Sequence, residues 1–279
     1  QDADRALATM AVIQIRAGNT AEARALIDAR LAEMPDDITF RFLSANLYAV
    51  TGEIPQAVEA FQAVIAADPG NDEPVRMLYG LLLSSGQQAE AEAVLAAGLE
   101  AIPQSTTLRW IEAGRLEQLG DFEGAIAVYE ALYALDSTNL IIANNLASMI
   151  AAHRTDPADI TRAVAIARRL NGVEVPAFQD TWGWLQHLDG KSAEALPALE
   201  AAAAGLPDDP QVRAHLGLVQ AALGRPEAAA TLTEALALAG DSVLPVFDSV
   251  RAALAATPVD AQADAPADTP NDPPATPAP

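Results

Sequence analysis

Residues 78–99 read LYGLLLSSGQQAEAEAVLAAGL. Leu78, Leu81 and Leu82 stand ahead of Gly86, and Ala91, Val94, Leu95 and Leu99 follow it. Apolar residues three and four apart share one face of a helix, so each half reads as an amphipathic helix and the glycine between them as a turn. The same arrangement returns along the chain. Glycines at 18, 52, 86 and 120 keep a step of 34 residues, and the step resumes from Gly190 to Gly224. Pro35, Pro69 and Pro103 keep it too, as do Ala23, Ala57, Ala91 and Ala125, with Ala195 and Ala229 later. A fixed period of this length is the signature of a repeat architecture in which each unit buries its apolar face only against its neighbours.

Each unit therefore consists of two helices around a glycine turn, and each of these prolines closes a second helix because it cannot continue the hydrogen-bond ladder. Capping residues stand where the next helix must begin: Asp209 before Pro210, Ser105 and Thr106 before Leu108, and Asp72 ahead of Pro74. Seven units follow, 4–37, 38–71, 72–105, 106–139, 140–175, 176–209 and 210–243. After them Leu244, Phe247, Val250 and Leu254 make one apolar stripe on a short helix, 244–256, that caps the open end of the array. The segment 257–279, rich in proline, alanine and aspartate, has no aromatic or basic residue and reads as a disordered acidic tail.

With these residues in register the chain resembles the tetratricopeptide repeat family. That family's pattern has a large residue, Leu-Gly, a tyrosine, Ala-x-x-x-Phe and a closing proline. Tyr48, Ala57, Phe61 and Pro69 match it in the second unit, and Leu216-Gly217 match its Leu-Gly pair in the seventh. The resemblance implies an all-α fold, a right-handed α-α superhelix, with peptides or partner proteins held on a concave face lined by the first helix of each pair. In DTWGWLQHLDG, residues 180–190, Trp182-Gly183 take the Leu-Gly position, so Trp182 is expected in the core. Trp184 lies roughly 200° further round that helix, on the side that lines the groove.

Two segments depart from the rule. In the fifth unit HRTDPADITR, residues 153–162, replaces the short glycine turn, which predicts a longer surface loop with Asp156-Pro157 at its tip. At the start, Ala6, Leu7, Met10, Val12, Ile13 and Ile15 make a helix that is apolar on most sides. Such helices are buried, so a further repeat is expected ahead of Gln1, and in its absence an adhesive face that could support self-association.

Composition narrows the function classes. A formal charge of −22, with only Asp260, Asp264, Asp268 and Asp272 of the acidic groups beyond Arg251, argues against a nucleic-acid partner, because phosphate binding rests on clustered Lys and Arg. The chain has no cysteine, so thiolate metal sites and cysteine nucleophiles are excluded. No apolar run approaches a membrane span. His153, His187 and His215 form no metal-binding pair, and no nucleophile elbow, Walker loop or dinucleotide-binding glycine motif occurs. No catalytic residue, metal or cofactor is therefore expected.

Carried onto this chain unit by unit, the resemblance implies a groove that includes Phe42, Asn46, Arg76, Trp110, Asn144, Asp180 and Trp184. The family's best-known grip on a C-terminal carboxylate uses two lysines, an arginine and two asparagines; here Asn46 and Arg76 remain, but Phe42 stands where the first lysine belongs. Asn144 can hydrogen-bond the backbone of an extended peptide whatever its sequence. The expected role is a noncatalytic scaffold for protein or peptide partners in a bacterial cell, whether cytoplasm, periplasm or envelope, with resemblance to repeat proteins of envelope or exopolysaccharide systems. The alternative is the regulatory or substrate-recruiting arm of an enzyme whose catalytic domain lies upstream.

Overall fold

The computed structural model describes residues 2–242 and 244–256, and the acidic segment 257–279 lies outside them. Every regular element among the described residues is helical. The first hairpin pairs α1 (Asp2–Arg16) with α2 (Thr20–Glu33), the second α3 (Ile38–Val50) with α4 (Ile54–Ala67), and the third α5 (Asp72–Ser84) with α6 (Gln88–Ala101). There follow α7 (Thr106–Gln118) with α8 (Phe122–Leu135), α9 (Leu140–His153) with α10 (Pro157–Ala167), α11 (Pro176–Leu188) with α12 (Ser192–Gly205), and α13 (Pro210–Ala222) with α14 (Ala228–Ala239). A last helix, α15, spans Val246–Ala256. The chain divides into two compact units, the first through Leu132 and the second from Tyr133.

The turn between paired helices has one solution, used repeatedly. Gly18, Gly52 and Gly86 each sit at φ 78°, Gly120 at 75°, Gly190 at 82° and Gly224 at 66°. A side chain there would strain the backbone, and this is why the marker that recurs in the sequence is glycine. The opposite ends of the hairpins are closed by side chains. Asp37 accepts from the Thr39 and Phe40 amides, Asn139 from Ile141 and Ile142, and Asp209 from Gln211 and Val212. Ser105 accepts from the Leu108 amide at 3.0 Å.

Asp72 is not the cap of α5. Asn71, in extended conformation, caps it and accepts from the Glu73 amide, while Asp72 accepts the Ser105 hydroxyl proton one repeat later. A second correction concerns 153–162. Asp156 accepts from the Ala158 amide at 2.8 Å and Pro157 opens α10, so only 154–156 connect the two helices. The extra residues of this unit are absorbed at the other end of α10, in a 3-10 turn at Arg168–Leu170 followed by Gly172 at φ 79°. Aspartate before proline is a helix start, and that local preference overrides the loop expected from the spacing.

Packing explains why hairpins do not stand alone. One buried cluster joins Ala11 of α1, Ala23 and Ile27 of α2, and Phe40, Leu43 and Leu47 of α3; a second joins Ala45, Phe61, Leu78, Leu82 and Ala91 across α3 to α6. In the second unit Leu196 and Leu199 of α12 pack with Val212, Leu216 and Val219 of α13. Each core thus takes its side chains from one hairpin and the next. The outer side of α1 lacks that cover: Met10 is 50% and Ile13 57% exposed, and among its residues 3–16 only Ala11 is buried.

Two glycines of first helices pack closely against the backbone of the second helix of their hairpin. A Cβ on Gly183 would stand 2.7 Å from Leu199 Cγ and 3.2 Å from the Ala195 carbonyl oxygen; on Gly217 it would meet Leu232 Cδ2 at 2.7 Å and the Leu232 amide nitrogen at 3.1 Å. Gly80 and Gly114, also helical, face nothing within 4 Å. Alanine at 183 or 217 is therefore expected to lower stability by about 1–3 kcal/mol, because backbone atoms cannot yield as side chains do. At 80 or 114 it should raise stability by about 0.5–1 kcal/mol through helix propensity. Urea midpoints read by circular dichroism check both signs, and a common sign at all four positions would refute the packing account.

Candidate functional site

In the first unit a cavity of about 290 Å³ opens among α1, α3 and α5. Val12, Ile15, Phe42, Leu43, Val50 and Met77 form its apolar wall, with Arg16, Asn46 and Glu73 as the polar groups. Phe42 and Asn46 are one helical turn apart on α3, so both face it. Phe42 is held edge-on to Phe61 with ring centroids 6.0 Å apart, and Asn46 donates from its side-chain nitrogen to the Phe42 carbonyl at 3.0 Å. That bond leaves the Asn46 amide oxygen as an acceptor.

Arg76 and Trp110 repeat the position of Phe42 at successive steps of 34 residues. Arg76 has a 45% exposed side chain and lies 3.7 Å from Glu73 of its own helix, a surface pair that leaves the guanidinium available. Trp110 is 38% exposed and rests edge-on against Tyr129, 5.8 Å between centroids, while the Tyr129 hydroxyl donates to Glu117 at 2.7 Å. An indole fixed in place but open to solvent loses little entropy on binding. Nearby, burial pushes the Tyr79 hydroxyl above the usual tyrosine range although Arg115 opposes the shift. A larger depression of about 630 Å³, lined by Ile54, Pro55, Val58, Glu59, Gln62, Ser85 and Gln87, gathers residues of α4 and the α5–α6 turn and none of the expected site residues.

In the second unit Asn144, Asp180 and Trp184 differ in their surroundings. Asn144 is half-buried; its amide nitrogen donates to Asn145 at 3.3 Å, and its own oxygen is enclosed with no protein donor. Asp180 is buried and accepts from His215 Nδ1 at 2.9 and 3.0 Å. A carboxylate only accepts, so the proton of this bond is on Nδ1. Trp184, half-buried, stacks on the His215 ring at 4.2 Å and 10°, and His187 lies against it at 5.1 Å and 31°. His187 Nδ1 is in turn 2.9 Å from the Ser192 hydroxyl.

Trp182, expected in the core, is half-buried. The buried residues of that helix are Asp180, Thr181, Gly183, Leu185 and Gln186, and it is Gly183, not the indole beside it, that meets Ala195 and Leu199 of α12. His215 was not among the expected site residues. Its signal is the interval of 35 residues from Asp180, one repeat and one residue, which sets two side chains side by side on successive first helices. The structure brings Asp180, Trp184 and His215 together in one unit and Phe42 with Asn46 in the other. Among the described residues no group of three or more His, Asp or Glu side chains is arranged to hold a metal ion, and no helix is long and apolar enough to cross a membrane.

Stacked helix hairpins whose buried clusters join one hairpin to the next define a helical-repeat protein. Tetratricopeptide repeat profiles match residues 9–72, 81–139 and 189–243, and a further one residues 51–109. With more than half of its residues matched, the chain belongs to the tetratricopeptide repeat family, whose members generally mediate protein–protein interactions. Among solved structures it is similar to the C-terminal part of a repeat-containing protein of this family from Cytophaga hutchinsonii, at 14% identity and a TM-score of 0.56, over 88% of this chain and 99% of that one. YrrB, described as a repeat protein with an unusual peptide-binding site, matches at 18% identity and a TM-score of 0.50, over 70% of this chain and all of its own. The Cut9–Hcn1 hetero-tetramer of the APC/C matches at 15% and 0.52, with 88% of this chain covering 48% of that one. A search of curated proteins finds no match.

Proposed function

We propose that this chain is a noncatalytic scaffold that holds a peptide or protein partner on the face of its first helices. In the first unit the contact residues are Phe42, Asn46, Arg76 and Trp110; in the second they are Asn144 and Trp184, while Asp180, expected beside them, is buried on His215 and takes no part in the contact. The observation that carries the reading is the exposed but immobilised Trp110 on the helix face that, two repeats earlier, presents Phe42 to an apolar cavity. Rigid aromatic anchors beside amide groups are what an extended peptide needs: area for its side chains and hydrogen bonds for its backbone. A peptide-binding site on a structural neighbour supports the same use of the fold. A place in a bacterial envelope or exopolysaccharide system is the finer form of this proposal.

The test is partner capture from bacterial cytosolic and envelope fractions by the intact chain, by Trp110→Ala, and by Asn144→Ala/Trp184→Ala, with identification by mass spectrometry. A partner retained by the intact chain and lost from a variant of unchanged helicity supports the reading. Loss of an anchor of this type costs about 2 kcal/mol or more, enough to remove a micromolar partner from a pull-down. Equal capture by all three proteins would move the contact surface away from this face.

A further inference from the structure

Two imidazoles lie against the indole of Trp184, and they are not equivalent. His215 of α13 is buried, with its Nδ1 on the Asp180 carboxylate of α11, so a positive charge on it has a counter-ion. His187 of α11 is half-buried, and beside the indole it has the Ser192 hydroxyl of α12 as its hydrogen-bond partner. No carboxylate is paired with it: Asp189, in the turn after α11, is paired with Lys191. Asp159 on α10 is paired with Arg154 and that helix's Arg162 is exposed; Glu194 and Glu200 on α12 are exposed; Arg213 on α13 is paired with Glu234 of α14, and Asp248 on α15 with Arg251. On α9 the one ionisable side chain is His153, at its last residue.

We propose that His187 is an acid-operated cover on Trp184, leaving the indole when it takes a proton and so uncovering that ring on the first-helix face of the second unit. The step is one proton from solvent onto an imidazole. The resulting cation sits beside a second imidazole, in a half-buried place where no carboxylate is paired with it, and relieves both penalties by rotating into water. Burial, and then the charge of His215, hold the His187 imidazole below the ordinary histidine range. The unfolded chain therefore takes up the proton before the folded one does. Stability tied to His187 is complete above the ordinary value of about 6.5 and is lost as pH falls toward the lower folded value. Trp184 occupies the place in its repeat that Asn46 occupies in the cavity of the first unit, so the device regulates a position on the proposed contact face and rests on that reading for its use, though not for its operation.

A variant carrying Trp110→Phe and Trp182→Phe leaves Trp184 as the single indole, and its emission is followed from pH 8 to about 5, within the histidine range. The expected result is a shift of the emission maximum to longer wavelength and stronger quenching by acrylamide on acidification, at constant far-ultraviolet circular dichroism. Adding His187→Gln should abolish the transition. Adding His215→Gln, which removes the opposing charge, should move it to higher pH. An unshifted emission, a transition that survives His187→Gln, or a parallel loss of helicity in both proteins would overturn the proposal. No partner is present in this measurement, so its failure leaves the scaffold reading untouched, and failed partner capture leaves the switch untouched.

Discussion

Replacing Phe247 by alanine is expected to destabilise the second unit by about 3–5 kcal/mol, the cost of removing a fully buried aromatic side chain and leaving its space unfilled. Phe247 and Val250 of α15 are completely buried against Ala214 of α13 and Leu232 and Ala235 of α14. Both are on one helix, and α15 packs on the last hairpin alone. The loss should therefore appear first as detachment of α15, ahead of general unfolding. Arg251 is the one basic residue of that helix, so faster tryptic cleavage after Arg251 reports the detachment, and the urea midpoint reports the whole cost. Unchanged cleavage with an unchanged midpoint would mean that α15 does not cap the array.

Replacing Asp180 by alanine strikes the other buried feature of the second unit. His215 would keep its place, with a side chain only 4% exposed, and lose the acceptor for its Nδ1 proton. An orphaned buried donor costs about 1–3 kcal/mol. Asparagine at 180 separates the hydrogen bond from the bulk of the side chain: its amide oxygen still accepts from Nδ1, so Asp180→Asn should recover most of what Asp180→Ala loses. Urea midpoints of the two variants read this directly, and equal deficits in both would show that the acceptor at 180 contributes nothing.

The fold was legible in the chain because its determinants are local and repeated. Glycines at positive φ at steps of 34 residues, prolines after α2, α4, α6 and α12 and apolar residues on one helical face act through neighbours in sequence, and periodicity multiplies the signal. Where two local rules met, the spacing alone chose wrongly. At 153–162 it predicted a loop, yet Asp156 before Pro157 starts a helix and the surplus residues moved to the turn after α10. The candidate site was legible only as a face. Sequence register alone ranged Asp180 and Trp184 with Phe42, Asn46, Arg76, Trp110 and Asn144, as groups turned toward a partner.

The chain by itself determined the all-α repeat class, the hairpin turns and the acidity that disfavours nucleic acid, since these follow from composition and from contacts within a few residues. Tertiary structure alone decided what each exposed-looking group meets. It turned Asp180 inward to His215, set both imidazoles against Trp184, left Trp182 half-buried beside a Gly183 that meets α12, and gave Phe42 and Asn46 a shared cavity. The encounters with His215 join side chains some 30 or more residues apart, and their distances depend on how closely one hairpin packs upon the next, which the period of the sequence does not encode.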